Sequence, residues 1–320
     1  MTRTRSLLGL LVLPCLLTGC DQGEANAPTG NNATTRLKPE VFAVNFPLAS
    51  FAEAVGGNLI DVKTPRLDGA PITSFSPSPE EIIKIQDADL ILLNGADFSP
   101  WTQHASLPVS KTITTARPFK SRWIESTHSH DHDHDHQHGP EGDGVHHHAH
   151  WASFTWLDPT NAYEQAKVVG DRIRTLLGSP DEAYQRQVAL TKRLDNLIAI
   201  GKRIRALDPP TMIASEPQYQ YLAAGCGIEV LDADWHWNEP TPHDGMDSLR
   251  DLVTASGANL ILVPSEPDAE RRAVLEEMGL EPVVFRLLAD PAEAEGESFA
   301  DCFEADLKNL EAICGGQSAE

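Results

Sequence analysis

An uninterrupted helical stretch near the middle of the chain constrains the fold more than any other feature. Residues 181–207 contain no proline and one glycine. Their apolar side chains recur at helical spacing: Tyr184, Val188, Leu194, Leu197, Ile198, Ile204 and Leu207. At about 1.5 Å per residue the pattern predicts a helix about 40 Å long, which Pro209 and Pro210 end.

Short apolar runs alternate with helical segments on both sides of this stretch. The first half has predicted strands at residues 41–45, 59–63, 89–94 and 112–115, and predicted helices at 47–55 and 78–87. The second half has predicted strands at 211–214, 227–231, 259–263 and 282–285, and predicted helices at 217–224, 246–255, 268–278 and 299–313. Such alternation predicts βα units with parallel sheets.

The predicted fold class is therefore α/β. We expect two lobes, each with a parallel β-sheet flanked by helices, joined by one long backbone helix. The predicted boundaries are a first lobe at residues 39–178, a linking helix at 179–208 and a second lobe at 209–320. A ligand is expected in the cleft between the lobes, outside the carboxyl ends of the strands.

The amino-terminal residues predict export and attachment to a membrane. Arg3 and Arg5 precede an apolar stretch at residues 7–17, and small residues then lead to Cys20. This pattern resembles the bacterial lipoprotein signal, in which the cysteine is lipidated; an ordinary secretory signal is the alternative. We expect a signal peptide at residues 1–19, lipidation of Cys20 and a flexible tether at residues 20–38. The mature protein would be extracytoplasmic, in the periplasm or at the cell surface, and anchored by lipid alone, since no later stretch approaches about 18 apolar residues.

The net charge and the cysteines limit which partners and which kinds of metal site the sequence predicts. The formal net charge of −22 disfavours nucleic acid and fits a surface that handles cations. If residues 299–313 form one helix, Cys302 and Cys314 lie about 18 Å apart and cannot pair. The sequence is compatible with a disulfide between Cys226 and either Cys302 or Cys314, and also with three free thiols. No C-x-x-C spacing occurs, so no cysteine metal site is predicted.

A histidine-rich segment, residues 128–150, indicates metal binding. It holds ten of the 13 histidines, which alternate with aspartate up to residue 136 and cluster again at residues 146–150. Imidazole and carboxylate are the ligands of zinc and its first-row neighbours. The alternation suits a flexible chelator better than one fixed site. A solvated low-complexity loop or a cloning tag are the alternatives, although the internal position is unusual for a tag.

Several motifs resemble the metal-binding proteins of zinc and manganese ABC transporters, which have two lobes joined by a backbone helix. The resemblance runs from about Val41 to the carboxyl terminus. It rests on residues 45–48 (NFPL), 77–79 (PSP), 156–159 (WLDP) and 265–267 (SEP). It implies an extracytoplasmic, monomeric binding protein that hands a divalent metal ion to an ABC transporter permease.

The chain departs from this family at the usual metal ligands. Thr73, Phe154 and Glu216 stand where the resemblance places three histidines, and the acidic fourth position is kept at Glu266. Phenylalanine cannot bind zinc and threonine is a poor ligand. The usual three-histidine site is therefore not expected.

The chain looks closer to a divergent branch with the motifs THSH, YQYLA and HWEP, here at residues 127–130, 219–223 and 236–240. In that branch the ligands would come from the histidine-rich segment and the second lobe. The candidate metal ligands are His128, His130, His148, His150, Glu216, His236 and Glu266, with Glu239 as a further candidate. The alternatives are a capping or stacked surface histidine at His236 and a helix amino-terminal charge at Glu216.

The expected function is capture of a divalent metal ion and its delivery to an ABC-type uptake transporter. Zinc is the expected ion because imidazole dominates; nickel and cobalt remain open, and manganese, which prefers oxygen ligands, fits least. An enzyme is not expected, since the chain lacks a His-Glu-x-x-His motif, a nucleophile elbow and a glycine-rich phosphate loop. A periplasmic zinc buffer or metallochaperone and a binder of another small solute are the alternatives.

Overall fold

The computed structural model describes residues 38–67, 72–126, 150–233, 235, 237 and 246–316. The described residues from Lys38 onward belong to one compact unit. Eight strands form two separate four-stranded sheets within the described residues. None of the helices in these ranges is long and apolar enough to cross a membrane.

The first sheet contains strands β1 (Glu40–Ala43), β2 (Asp61–Lys63), β3 (Leu90–Leu93) and β4 (Thr112–Thr114). They pair in the order β2-β1-β3-β4, and every pairing is parallel. The second sheet contains β5 (Met212–Ala214), β6 (Val230–Asp232), β7 (Leu260–Val263) and β8 (Glu281–Val284). Its order, β6-β5-β7-β8, repeats the topology of the first, again with parallel pairings.

Helices flank both sheets. The first lobe contains α1 (Phe46–Gly56), α2 (Pro79–Asp87) and α3 (Pro159–Leu176). The linking helix is α4 (Asp181–Ala206). The second lobe contains α5 (Gln220–Cys226), α6 (Met246–Ser256), α7 (Ala269–Met278) and α8 (Phe299–Cys314). The predicted α/β class, with two parallel sheets and one long connecting helix, is confirmed.

The linking helix α4 buries a face that is rotated from the predicted one in its first half. Leu194, Leu197 and Ile204 are buried as predicted and Ile198 is half-buried, whereas Tyr184 and Val188 in the first half are exposed, as is Leu207 just beyond the helix. Gln187 is buried instead, because it lies against Gly170 of α3, where a Cβ atom would come within 2.7 Å of its side chain. Its amide donates to the Asp171 carboxylate at 2.9 Å, which satisfies the buried polar group.

Two predicted boundaries in the second lobe are wrong. The helix predicted from residue 217 begins at Gln220, because Glu216 and Gln218 form a tight turn in which the Gln218 N–H donates to the Glu216 carbonyl at 2.8 Å. The strand predicted from residue 227 begins at Val230, because Gly227 ends α5 in the left-handed region at φ 71°.

The larger apolar core contains residues of both lobes, and a smaller one lies within the second lobe. Phe51 of α1 packs edge-on against Phe299 of α8, with ring centroids 5.3 Å apart. The fully buried Trp156 donates its indole N–H to the Leu287 carbonyl at 2.8 Å. The backbone of Phe46 donates to Ala289 at 2.9 Å. The segment 287–289 of the second lobe is thus bonded directly to the first lobe.

The three cysteines of the described residues are free thiols. Cys302 lies at the start of α8 beside Glu297, and Cys314 ends the same helix. Cys226 is fully buried at the end of α5. Burial raises the pKa of the Cys226 thiol to about 12 and that of the Cys314 thiol to about 11.

Candidate metal-binding region

Phe154, which the sequence resemblance places at a metal-ligand position of the family, has a buried aromatic side chain. It is 6% exposed, and its ring centroid lies 6.0 Å from that of Phe98 and 5.2 Å from that of Trp156. All three rings are packed into the core. The position therefore contributes apolar packing to the first lobe and has no atom that can bind a metal ion.

A buried hydrogen-bond network fixes the backbone around Phe154. The Asn94 amide nitrogen donates to the Ser153 carbonyl at 3.0 Å, and the Thr155 hydroxyl donates to the Asn94 side-chain oxygen at 3.0 Å. Gln165 of α3 donates to the same Asn94 oxygen at 2.8 Å and to the Thr115 hydroxyl at 2.9 Å. Residues 153–155 are therefore rigidly joined to the carboxyl ends of β3 and β4.

The other positions that the resemblance places among the metal ligands carry oxygen atoms as possible ligands. Thr73 is exposed in a short 3-10 turn, Ile72–Ser74. Glu266, three residues beyond β7, is exposed and forms an ion pair with Arg272 at 3.3 Å. Such an exposed pair is worth little, about 0–1 kcal/mol, so Arg272 is easily displaced from the carboxylate.

Glu216 lies two residues beyond β5, as predicted, and is half-buried. It is not a helix amino-terminal charge, because α5 begins four residues later. Burial raises the pKa of the neighbouring Tyr219 hydroxyl well above its ordinary value, and the Glu216 charge raises it further. Three buried side-chain oxygens at this turn have no hydrogen-bond partner among the residues that the structure describes: Ser215 Oγ, Gln218 Oε1 and Gln220 Oε1.

The described residues on either side of positions 127–149 form a short antiparallel pairing, which we call the neck (residues 124–126 and 150–152). Glu125 and Trp151 are paired as an isolated antiparallel bridge. The Ser126 N–H donates to the His150 carbonyl at 2.7 Å, and the Ala152 N–H donates to the Ile124 carbonyl at 2.9 Å. His150 itself is exposed. The neck thus fixes the backbone at the end of the segment and leaves the His150 side chain at the surface.

Both lobes hold the neck. The Ile124 N–H donates to the Tyr221 hydroxyl of α5 at 3.1 Å, which ties the neck to the second lobe. The Trp151 N–H donates to the Asp97 carboxylate at 3.1 Å, four residues beyond β3 of the first lobe. Trp151 also packs edge-on against Trp123, with centroids 5.8 Å apart. The neck therefore lies where the two lobes meet.

Of the predicted ligands, the structure places His150, Glu216 and Glu266. His128, His130, His148, His236 and Glu239, together with the lipidation candidate Cys20, lie outside the described residues. Within the described ranges, no three His, Cys, Asp or Glu side chains form a cluster that could hold a metal ion. The described candidates alone therefore do not make a complete site.

Sequence reasoning missed Asp97 and Tyr221, which hold the neck. Asp97 follows Asn94-Gly95 after a strand, a combination that indicates a turn but gives no sign of a bond to residue 151. Tyr221 belongs to the motif at residues 219–223, whose resemblance to the family assigns no separate role to this tyrosine. Its bond to Ile124 joins residues 97 positions apart, and no local pattern predicts it.

Two parallel sheets of the same topology, joined by one long helix, define a two-lobed α/β protein. The model of the family described as "ZnuA: Zinc-uptake complex component A periplasmic" matches residues 41–313, and the chain belongs to this family. The family is one of metal-binding transporter components and not of enzymes.

Relatives with different metals in their names resemble this chain. The manganese ABC transporter substrate-binding lipoprotein PsaA of Streptococcus anginosus is 22% identical over 326 residues, 99% of this chain and 100% of that protein. The iron-binding protein YfeA of Yersinia pestis is 25% identical over 219 residues, 63% of this chain and 61% of that protein. The Zn(II)-bound ZnuA-like domain of AdcA from Streptococcus pneumoniae has the same fold, with a TM-score of 0.69 at 16% identity over 87% of this chain and 99% of that domain. Family membership therefore defines binding of a metal of this group without selecting the ion.

Proposed function

We propose that this chain binds a divalent metal ion, zinc, outside the cytoplasm and delivers it to the permease of an ABC-type uptake transporter. The observation that carries the proposal is the neck. A member of a metal-binding transporter family presents the end of its histidine-rich segment at the junction of its two lobes, on a backbone that both lobes hold.

Zinc is proposed because the donors that replace the family histidines are imidazoles of this segment. Imidazole suits zinc, and no thiolate or thioether cluster favours copper(I). Competition calorimetry with nickel, cobalt and manganese tests the choice. A protein that prefers manganese over zinc would contradict it.

The proposed site combines the neck histidines with the second lobe: His128, His130, His148 and His150, with Glu216, His236 or Glu266. The described end of the segment supports this set, because the neck fixes the backbone of His150 and its side chain is exposed. Three imidazoles completed by one carboxylate satisfy tetrahedral zinc.

The test is calorimetric titration with zinc of protein lacking residues 131–145, which keeps all the proposed ligands. We expect one tight ion per chain. His150, Glu216, His236 and Glu266 are then replaced by alanine one at a time. A variant that lacks a ligand should bind zinc more weakly. Glu276→Ala, an exposed carboxylate on α7, is the matched control. Equal affinity in all the second-lobe variants would show that this lobe supplies no ligand, and several weak ions in place of one tight ion would indicate a zinc buffer.

The proposed location is extracytoplasmic, with the chain anchored to the membrane through lipid on Cys20. The support is the sequence of residues 1–20, which lie outside the described residues, and the word lipoprotein in the names of relatives such as PsaA. Cys20→Ala should release the protein from membranes or block its processing. Unchanged fractionation and an unchanged mature amino terminus would contradict the anchor.

A further inference from the structure

The turn after β3 is held in an unfavourable backbone conformation. Gly95, Ala96 and Asp97 have φ values of 92°, 48° and 55°, three consecutive residues in the left-handed region. Only glycine adopts this region without steric cost, and strained residues cluster where the surrounding structure over-determines them, often at functional sites. Gly95 cannot be replaced freely, since a Cβ atom there would lie 2.7 Å from Thr114. The surrounding structure thus enforces the turn.

The turn places Asp97 against one particular peptide unit. The peptide between His150 and Trp151 is bonded on both sides: its carbonyl accepts the Ser126 N–H at 2.7 Å, and its N–H donates to the Asp97 carboxylate at 3.1 Å. Two residues on, the Ser153 carbonyl accepts from Asn94 of the same turn at 3.0 Å. The orientation of the backbone at His150 is therefore fixed by groups from the turn after β3 and from the opposite side of the neck.

We propose that Asp97 is a positioning residue of the metal site, which holds His150 in the orientation that binds the ion. This inference rests on the proposed function. Asp97 acts through the Trp151 N–H and needs no contact with the metal. A ligand whose backbone is already ordered loses less conformational entropy on binding than a free one, and removal of such supporting contacts typically weakens metal affinity by about 10- to 100-fold.

The chain supplies a matched control at the other end of the same strand. Asp89, immediately before β3, is exposed like Asp97 and accepts a backbone N–H from Glu40 at 2.9 Å. Asp89→Ala therefore removes the same kind of bond from the same lobe at the amino ends of the strands, away from the neck. Alanine at position 97 carries a steric cost at φ 55°, which Asp97→Asn avoids because asparagine tolerates the left-handed region; unfolding of Asp97→Ala without metal measures that cost.

The experiment compares the zinc affinity of the full mature chain with that of Asp97→Ala, Asp97→Asn and Asp89→Ala, by competition with a chelating dye. We expect Asp97→Ala to bind about tenfold more weakly, and Asp89→Ala to bind as the unchanged protein does. Asp97→Asn should recover most of the affinity, because its amide oxygen can accept the same N–H. Thermal unfolding without metal checks that the variants are folded.

Each outcome decides between distinct explanations. Unchanged affinity in Asp97→Ala overturns the positioning role and leaves the proposed function intact. An Asp97→Asn variant as weak as Asp97→Ala also overturns it, since the charge and not the hydrogen bond would then matter. A wild-type chain that binds no zinc overturns the proposed function itself, and the role of Asp97 falls with it.

Discussion

The hydroxyl of Tyr221 in the second lobe accepts a hydrogen bond from the backbone N–H of Ile124 in the first lobe, across 3.1 Å. Tyr221 is 1% exposed, so the bond is shielded from water. In a continued antiparallel ladder, the Ile124 N–H would donate to the Ala152 carbonyl, since the Ala152 N–H already donates to the Ile124 carbonyl. Here the Ile124 N–H donates to the Tyr221 hydroxyl instead, so a side chain of the second lobe takes the place of one backbone acceptor of the neck.

Tyr221→Phe should loosen the neck and lower zinc affinity. The change leaves the Ile124 N–H without its acceptor, which costs about 1–3 kcal/mol of unfolding free energy. Tyr219→Phe is the control, because Tyr219 is equally buried in the same lobe and its hydroxyl donates to the Phe285 carbonyl at 2.9 Å, away from the neck. Denaturant unfolding and zinc titration of both variants give the comparison. A loss of zinc affinity equal to that of Tyr219→Phe would mean that the neck bond has no special role.

Phe154→His should not rebuild the family site. The new imidazole would enter the aromatic cluster of Phe98 and Trp156, where no polar group is available to it among the packed rings. We expect a loss of about 2–4 kcal/mol in unfolding free energy and no gain in zinc affinity. Phe154→Leu, which stays apolar, should cost less. Tighter zinc binding by the histidine variant would show that this position still faces the metal.

Deletion of residues 131–145 should reduce the number of zinc ions bound and leave the stability of the metal-free protein nearly unchanged. The neck already holds the two ends of the segment together, so a shorter connection alters the closure entropy by less than about 1 kcal/mol. Calorimetric stoichiometry and thermal unfolding measure both effects. Replacement by a Gly/Ser segment of equal length separates composition from length. A large drop in stability would reveal that the segment is structural.

Glu293→Gln should weaken the connection between the lobes. The Glu293 carboxylate accepts backbone N–H groups from Leu288, Ala289 and Asp290 at 2.8, 3.0 and 3.0 Å. Glutamine turns one of these acceptor oxygens into a donor that faces an N–H, which should cost about 2 kcal/mol in urea unfolding. Glu295→Gln, an exposed change in the same turn, should cost less than about 0.5 kcal/mol. Equal effects would contradict the role of Glu293.

The buried thiols should make the protein less stable at alkaline pH. Burial raises the pKa of Cys226 from 9.0 to about 12, with the nearby Asp158 charge adding to the rise. The folded state therefore keeps its thiol proton where the unfolded state loses it, so stability falls as pH rises from about 9 towards 12. Between pH 8 and pH 10, Cys226→Ala should lose less stability than the unchanged protein. A thiol reagent at pH 8 should label Cys226 rapidly only after unfolding; rapid labelling of the native chain would contradict its burial.

The strands were predictable because buried parallel strands are continuous apolar runs, such as Leu90–Leu93 and Leu260–Val263. The predicted boundaries of helices and strands were wrong where a residue is compatible with two kinds of local structure. Pro217 fits a helix start, yet it belongs to the turn at Glu216; Gly227 fits a strand, yet it ends α5. The buried face of the first half of α4 was predicted wrongly because Gln187, a polar residue, is buried by the close approach of Gly170.

The candidate site was predictable only in composition. The sequence shows the histidine-rich segment directly, and the resemblance to the family predicts that its usual histidines are replaced at positions such as Phe154. The position of the neck depends on hydrogen bonds between residues far apart in the sequence. Asp97 and Trp151 are 54 positions apart, and Tyr221 and Ile124 are 97 positions apart. Hydrogen bonds over such separations leave no periodicity in the sequence.

A segment that departs and returns through a hydrogen-bonded neck is free to change during evolution. Since Tyr221 and Asp97 secure the junction from outside the insert, additions, losses and substitutions between positions 127 and 149 need not disturb the scaffold. The number of histidines that the segment carries can therefore change without a change in the neck that holds its flanks. The same junction is a graft point for protein engineers, at which a foreign metal-binding peptide or a fluorescent reporter can be inserted while both lobes keep their fold.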